Sequence, residues 1–280
     1  MPVIIESCNM NRSGNRPTSW LRLLATSVAL SVLAAPASLA HKTFLASQQH
    51  VWDAGATVDV VLTSALEFPN IEFGPTRDRI AFISVITGNA AVEGVEFEES
   101  ETALTMSFGA ARPGFSVVAV STHLRAGQIG PDDTSAYLDE IGASAAVRGA
   151  FDDLPGSPPL DRSYTKHTKI FLCIETCETG LEAGLAPTGQ ALEFVATTSG
   201  GRTFQLLHEG APVAGHRVEI ILGGGGHHNL VTGENGEITL DESMVGVALL
   251  SAIWITVPAR PDGVYHSDQA TLTIDLAQHS

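Results

Sequence analysis

Short segments in which apolar and polar residues alternate recur along the chain, as in strands that bury one face. The pattern covers residues 57–63, 104–108 and 115–119, and it returns at residues 170–174 and 192–196. Long runs with the 3.6-residue spacing of a helix do not accompany it. We therefore predict an all-β fold built from β-sandwiches.

One stretch between these strands has helical spacing instead. Residues 131–134 (PDDT) form a helix-start signal, and Tyr137 and Ile141 then fall on one helical face. Gly142 interrupts this face, so we expect a short helical insertion near residues 132–150.

A break in composition at residues 199–201 (SGG) divides the part of the chain that follows residue 40. The segment beyond it contains several short strand patterns and a predicted hairpin turn at residues 233–236 (GENG). We predict a β-rich N-terminal domain over residues 41–198, which carries the helical insertion. Residues 199–280 are predicted to form a small immunoglobulin-like or prealbumin-like β-sandwich.

The first forty residues are typical of an export signal. Residues 10–22 carry three arginines and no acidic residue, residues 23–35 are mostly apolar, and the small residues Ser38 and Ala40 follow. This order predicts a signal peptide over residues 1–40 and a periplasmic, secreted protein. An uncleaved membrane anchor is the alternative, but the apolar run is shorter than the ~20 residues that span a bilayer. After cleavage we expect no membrane insertion.

The charge balance narrows the possible partners. Lys and Arg number 15 against 31 Asp and Glu, a formal net charge of −16. Such a surface repels nucleic acid and attracts cations, so we expect no nucleic-acid partner. Phosphate-binding glycine loops, nucleophile elbows and His-Glu-x-x-His helices are absent from the sequence, and we predict that the protein is not an enzyme.

His41 becomes the first residue if cleavage follows Ala40. A free α-amine has a reference pKa of about 8 and a free imidazole about 6.5, so the amine and ring of one residue could together chelate a metal ion near neutral pH. One further imidazole would complete a nitrogen site suited to Cu(II), or to Ni(II) with added ligands. The alternative interpretation is a frayed terminal residue.

Other histidines are candidate partners for His41. His227 and His228 follow four glycines, and His266 and Asp268 could share one strand face. The alternatives are a solvated loop for the pair and a polar strand end for His266. The remaining histidines are interpreted as core-edge residues (His208, His216) or as surface residues (His50, His123, His167, His279).

Cys173 and Cys177 remain after cleavage, in an oxidising compartment. Four residues of strand span about 13 Å, whereas a disulfide needs Cα atoms within about 7 Å. Either the chain turns at residues 175–176 and a disulfide closes the turn, which we favour, or the two cysteines are not paired. A thiolate metal site is a further alternative.

The order of several short motifs resembles a family of exported bacterial proteins that is described as a domain of unknown function and was formerly labelled the NikM subunit of a nickel transport complex. The resemblance implies a two-part β architecture and a periplasmic role in handling nickel, cobalt or other transition metals. Phe44 stands where the family often has tryptophan. The matching segments are residues 40–45 (AHKTFL), 136–142 (AYLDEIG), 161–169 (DRSYTKHTK), 210–215 (GAPVAG), 232–236 (TGENG) and 267–273 (SDQATLT).

We therefore expect a periplasmic protein that binds a transition-metal ion (nickel, cobalt or copper) as an accessory to metal uptake or homeostasis. The expected partners are the metal ion and a membrane metal transporter. His41 is the predicted anchoring ligand, with His227, His228 and His266 as partners. The alternatives are a structural or adhesive β-sandwich module without metal and, ranked last, a copper-dependent oxidase.

Overall fold

The fold is mostly β-structure, with 49% of the described residues in strands and 12% in helices, which confirms the predicted all-β class. The predicted signal peptide, residues 1–40, lies outside the described residues. The computed structural model describes residues 41–156, 158–198, 201–260 and 263–278.

An antiparallel sheet, here called the N-terminal sheet, forms the first layer. Its strands follow the order β1-β3-β7-β6. The alternation predicted at residues 57–63 places Val58, Val60 and Leu62 on the inner face, fully buried. The strands are β1 (Lys42–Ala46), β3 (Thr57–Ala65), β6 (Glu96–Glu99) and β7 (Leu104–Gly109).

A larger sheet, the central sheet, forms the second layer. Its main path is β15-β14-β17-β18-β10-β8-β4-β5, and β2 and β9 also pair with β10. Most pairs are antiparallel, but β10 runs parallel to β18 and to β2. The strands are β2 (Val51–Trp52), β4 (Ile80–Thr87), β5 (Ala90–Ala91), β8 (Gly114–Thr122), β9 (Arg125–Ile129), β10 (Leu160–Ile174), β14 (Arg217–Leu222), β15 (His227–Val231), β17 (Val247–Thr256) and β18 (Tyr265–Asp275).

The third layer, the C-terminal sheet, contains β11 (Leu192–Ala196), β12 (Thr203–His208), β13 (Ala211–Pro212) and β16 (Glu237–Thr239). The turn predicted at residues 233–236 forms, with Gly236 at φ +74°. The hairpin prediction is nevertheless wrong, because β15 before the turn belongs to the central sheet and β16 after it belongs to the C-terminal sheet. Local alternation indicates a strand but does not determine its partner.

The central sheet is buried on both faces, so the β-sandwich has three layers. Val118 and Ile170 pack into the core shared with the N-terminal sheet, whereas Val117 and Phe171 pack into the core shared with the C-terminal sheet. Strands from both sides of residue 198 share this central layer. The domain boundary near that residue stays a prediction.

The helical insertion is confirmed as α1 (Pro131–Glu140) and α2 (Ala145–Asp152). Gly142 separates them at φ +63°, and the Ser144 hydroxyl caps α2 by accepting from the Val147 N–H. Tyr137 and Val147 pack against β18 and the start of β10. Farther along lie α3 (Glu182–Leu185) and the 3-10 turns Arg77–Arg79 and Leu276–Gln278. None of the helices in the described residues is long and apolar enough to cross a membrane.

The favoured disulfide between Cys173 and Cys177 is confirmed. Their Cα atoms lie 5.0 Å apart because the chain turns at Glu175, whose φ is +58°. The bond therefore closes the turn at the end of β10.

A buried ion pair joins the central and C-terminal sheets. Lys169 on β10 donates to Glu193 on β11 over 2.5 Å, and both side chains are almost fully buried. Burial raises the pKa of Glu193, but the Lys169 ammonium and the hydrogen bonds from Thr188 outweigh it and hold that pKa below its usual value. Each charge therefore depends on the other.

Lys169→Met should lower the free energy of unfolding by about 3–5 kcal/mol, because it leaves the Glu193 carboxylate buried without its cation. Urea unfolding measures the change. Lys42→Met, which breaks a less buried ion pair with Glu219, should cost no more than about 1 kcal/mol. Equal losses in the two variants would contradict this account of the layer contact.

Candidate functional site

Three histidine rings converge on one buried carboxylate between the central and C-terminal sheets. His167 Nε2 lies 3.1 Å from Asp268 Oδ1, and His266 Nε2 lies 3.3 Å from the same oxygen. His208 Nε2 lies 3.7 Å from Oδ2, within ion-pair distance. We call His167, His208, His266 and Asp268 the histidine–aspartate cluster.

Strand register brings these residues together. The parallel pairing of β10 with β18 sets Ser163 beside His266, so Ser163, His167, His266 and Asp268 occupy one face of the central sheet. That face turns toward the C-terminal sheet, where His208 is the last residue of β12. The cluster thus depends on strands that lie about 40–100 residues apart in the sequence.

Serine hydroxyls support two of the rings from behind. Ser121 Oγ lies 2.8 Å from His167 Nδ1, and Ser163 Oγ lies 2.9 Å from His266 Nδ1. An ionised carboxylate only accepts hydrogen bonds, so both rings donate to Asp268 through Nε2–H. Because a hydroxyl can donate or accept, it can satisfy either tautomer of each ring.

The four members of the cluster differ in their exposure to solvent. The side chains of His167 and Asp268 are each 5% exposed, whereas those of His208 and His266 are 22% and 31% exposed. Burial raises the pKa of Asp268, but hydrogen bonds from His167 and the charges of His266 and His167 outweigh it and lower that pKa. The carboxylate is therefore kept ionised beneath a solvent-facing pair of rings.

Trp254 on β17 borders the open side of the cluster. The His208 ring stacks on its indole with centroids 4.9 Å apart, and the His216 ring lies at 5.7 Å. Burial lowers the pKa of His216, which favours a neutral ring there. A cleft of about 340 Å³ leads past Trp254 and His216 along Val147 of α2.

The donor types in the cluster suit a transition-metal ion, but their present spacing does not. Imidazole nitrogen and carboxylate oxygen are common ligands of copper, nickel and cobalt. In the described part of the chain, however, no group of three or more His, Cys, Asp or Glu side chains is already spaced to hold an ion. The Asp268 carboxylate would have to withdraw from the rings for an ion to bind.

His41 lies elsewhere. It is exposed at the start of β1, with its ring against the edge of Phe73 at 5.1 Å, and its carbonyl accepts from Lys166 Nζ over 3.4 Å. Lys166 and the cluster residue His167 are neighbours on β10, so their side chains lie on opposite faces of the central sheet. The structure therefore does not bring His41 and His266 together.

His227 and His228 lie on the regular edge strand β15 and are both exposed. Adjacent residues of a strand point to opposite faces, so the two rings do not face one common position. His227 Nδ1 lies 3.2 Å from Glu219 Oε1, and Glu219 also pairs with Lys42 at 3.2 Å. The predicted ligands thus occupy separate locations, and their role in metal binding stays a prediction.

Two members of the cluster, His167 and His208, were not among the predicted ligands. His167 was expected at the surface, but it is 5% exposed because the central sheet is covered on both faces. His50, another predicted surface residue, is also buried, and burial lowers its pKa. The alternation of Ser163, His167 and Lys169 within residues 161–169 was the available signal for a polar buried face.

Comparison with known proteins finds one matching family, whose function is not defined. The family described as "Domain of unknown function (DUF4198)" matches residues 38–256. No curated protein matches the chain.

Solved structures give weak similarities. The D0-D1 domain of intimin is 13% identical at a TM-score of 0.20, covering 84% of this chain and 97% of that one. Trypsin-activated alpha-2-macroglobulin from Escherichia coli is 9% identical at 0.23, covering 86% and 16%. Bacteroides ovatus SGBP-B, solved with a mixed-linkage heptasaccharide, is 8% identical at 0.20, covering 81% and 45%. TM-scores this low support no argument about function.

Asp268→Asn should destabilise the metal-free protein at pH 7 by about 2 kcal/mol, because it removes a charged hydrogen-bond acceptor. The folded-state pKa of Asp268 lies below its ordinary value of 3.8. The carboxylate therefore stabilises the fold above that pH, and this contribution is lost as the pH falls through the lower folded-state pKa.

Urea unfolding of the wild type and the variant at pH 7 and at pH 3 checks this dependence. The difference between the two proteins should shrink at pH 3. The exposed Asp53→Asn serves as the control and should change little at either pH. A difference of equal size at both pH values would show that ionisation of Asp268 does not support the cluster.

Proposed function

The chain belongs to the DUF4198 family, a domain of unknown function, and we propose that it is an exported protein that binds a transition-metal ion for uptake or homeostasis in the periplasm. The observation that carries the proposal is the convergence of His167, His208 and His266 on the buried Asp268 carboxylate. The proposed ions are nickel, cobalt and copper, and the proposed partner is a membrane metal transporter.

The histidine–aspartate cluster supplies three nitrogen donors and one oxygen donor. His167, His208 and His266 would bind the ion through Nε2, and Asp268 would add a carboxylate oxygen once it releases the rings. The Nδ1–H groups of His167 and His266 would then donate to the hydroxyls of Ser121 and Ser163. Such hydrogen bonds orient metal-binding histidines and raise their basicity.

Exposure and charge favour the approach of a cation. His208 and His266 are the half-exposed members, so an ion would meet them before it reached His167. The net charge of −16 raises the local concentration of cations at the surface. A metal ion competes with protons for the imidazole nitrogens, so affinity should fall at low pH.

His41 remains a second proposed ligand, at a separate surface location. After cleavage behind Ala40, its amine and ring could chelate an ion without the cluster. Binding at His41 and binding at the cluster therefore predict different variants that lose metal.

We predict that His167→Gln and His266→Gln each weaken Ni(II), Co(II) or Cu(II) binding at least tenfold, because each removes a proposed ligand. Isothermal titration of the form that begins at His41 measures the affinity. His123→Gln is the matched control, because His123 is exposed and lies outside the cluster. Fluorescence of Trp254 in a Trp52→Phe background should report the same binding, since His208 stacks on Trp254.

Three other outcomes would redirect the proposal. Loss of binding on adding one glycine before His41, with the cluster variants unaffected, would assign the ion to the amino-terminal chelate. Equal losses in His123→Gln and His167→Gln would show that no specific site exists. Absence of binding in every form would favour the structural or adhesive module.

A further inference from the structure

Three basic side chains gather on the opposite face of the central sheet from the histidine–aspartate cluster. Arg162 and Lys166 lie on the β10 face that turns toward the N-terminal sheet, and Arg79 ends the 3-10 turn before β4. Strand β8 links them, because the Lys166 N–H donates to Thr122 Oγ1 and the His123 N–H donates to the Arg79 carbonyl. We call Arg79, Arg162 and Lys166 the cation cluster.

The cation cluster has no carboxylate partner among residues 41–156, 158–198, 201–260 and 263–278. The ion pairs of basic side chains found there include those of Lys42, Arg148 and Lys169 with acidic groups. Lys166 Nζ instead donates to Thr43 Oγ1 over 2.7 Å, and Arg162 Nη1 donates to Tyr137 Oη over 3.0 Å. In a chain with about twice as many acidic as basic residues, three neighbouring cations without an ion-paired carboxylate in the described residues call for an explanation.

Two buried donors within the cation cluster are unused. The Nε atoms of Arg79 and Arg162 are buried and have no hydrogen-bond partner in the described structure. Buried N–H groups that lack an acceptor are rare, since each forfeits its hydrogen bonds to water. Lys166 also lies close enough to Arg162 and Arg79 for the three positive charges to repel one another. Like charge and unfilled donors both indicate a missing anionic acceptor.

We propose that Arg79, Arg162 and Lys166 form a binding site for an oxyanion, either a carboxylate or a phosphate group of a small molecule. Guanidinium groups match both oxyanions because their N–H donors form a planar fork. Arg162 is held for this role between two rings, at 4.9 Å from Tyr137 and 4.8 Å from Tyr164. All three cations are half-buried, so a solute can reach them while water only partly screens their charge.

The proposed oxyanion site does not depend on metal binding. It uses side chains from the opposite face of β10, and it needs no movement of Asp268. Its test therefore uses protein freed of metal by a chelating resin, since a soluble polycarboxylate chelator would itself compete for the site.

Phosphate and citrate should each raise the thermal unfolding midpoint of this protein relative to chloride at equal ionic strength, and isothermal titration should give a measurable affinity for at least one. Arg79→Gln and Lys166→Gln should each weaken that binding tenfold or more. The exposed Arg112→Gln, which also removes one positive charge, is the control and should bind as the wild type does. Preference for phosphate or for citrate identifies which oxyanion the site takes.

A conservative variant, Arg79→Lys, tests the proposal even if a glutamine variant fails to fold. Arg79→Lys keeps the charge but removes the fork and the buried Nε–H, so it should fold and still lose most of the affinity. The proposal is overturned if neither anion stabilises the wild type beyond chloride, if Arg112→Gln loses as much affinity as Arg79→Gln, or if Arg79→Lys binds as the wild type does.

Discussion

Strand β10 lies between two other sheets, where a buried polar side chain without a partner costs free energy. At its apolar end, Ile170 and Phe171 fill the two cores without difficulty. At the other end Lys169 needs Glu193, and His167 needs both Ser121 and Asp268. The burial of this one strand on both faces therefore determines where the polar chemistry of the molecule lies.

The two-residue period of β10 divides that chemistry between the faces. The odd-numbered residues 163, 167 and 169 turn toward the C-terminal sheet and support the histidine–aspartate cluster and the buried ion pair. The even-numbered residues 162, 164 and 166 turn the other way. Residues 162 and 166 belong to the cation cluster, and the Tyr164 ring stacks on the Arg162 guanidinium. One motif, residues 161–169, thus contributes side chains to both the proposed metal site and the proposed oxyanion site.

Local pattern was sufficient for the elements and insufficient for the sites. The strands, the helical insertion around Gly142 and the Cys173–Cys177 disulfide follow from spacing and turn chemistry within a few residues. The histidine–aspartate cluster requires β10, β12 and β18 to meet, and nothing in their local sequence specifies that pairing. His167 resembled a surface residue because polar residues surround it in the sequence, although a sheet covers it on each side.

The central claim is that the metal-binding site is the histidine–aspartate cluster. X-ray absorption spectroscopy of the Ni(II)-loaded protein tests it directly, because scattering from imidazole rings reports how many histidines bind the ion. The account predicts three imidazoles and an oxygen donor, from His167, His208, His266 and Asp268. A spectrum with one imidazole beside an amine nitrogen would contradict it and place the ion at His41.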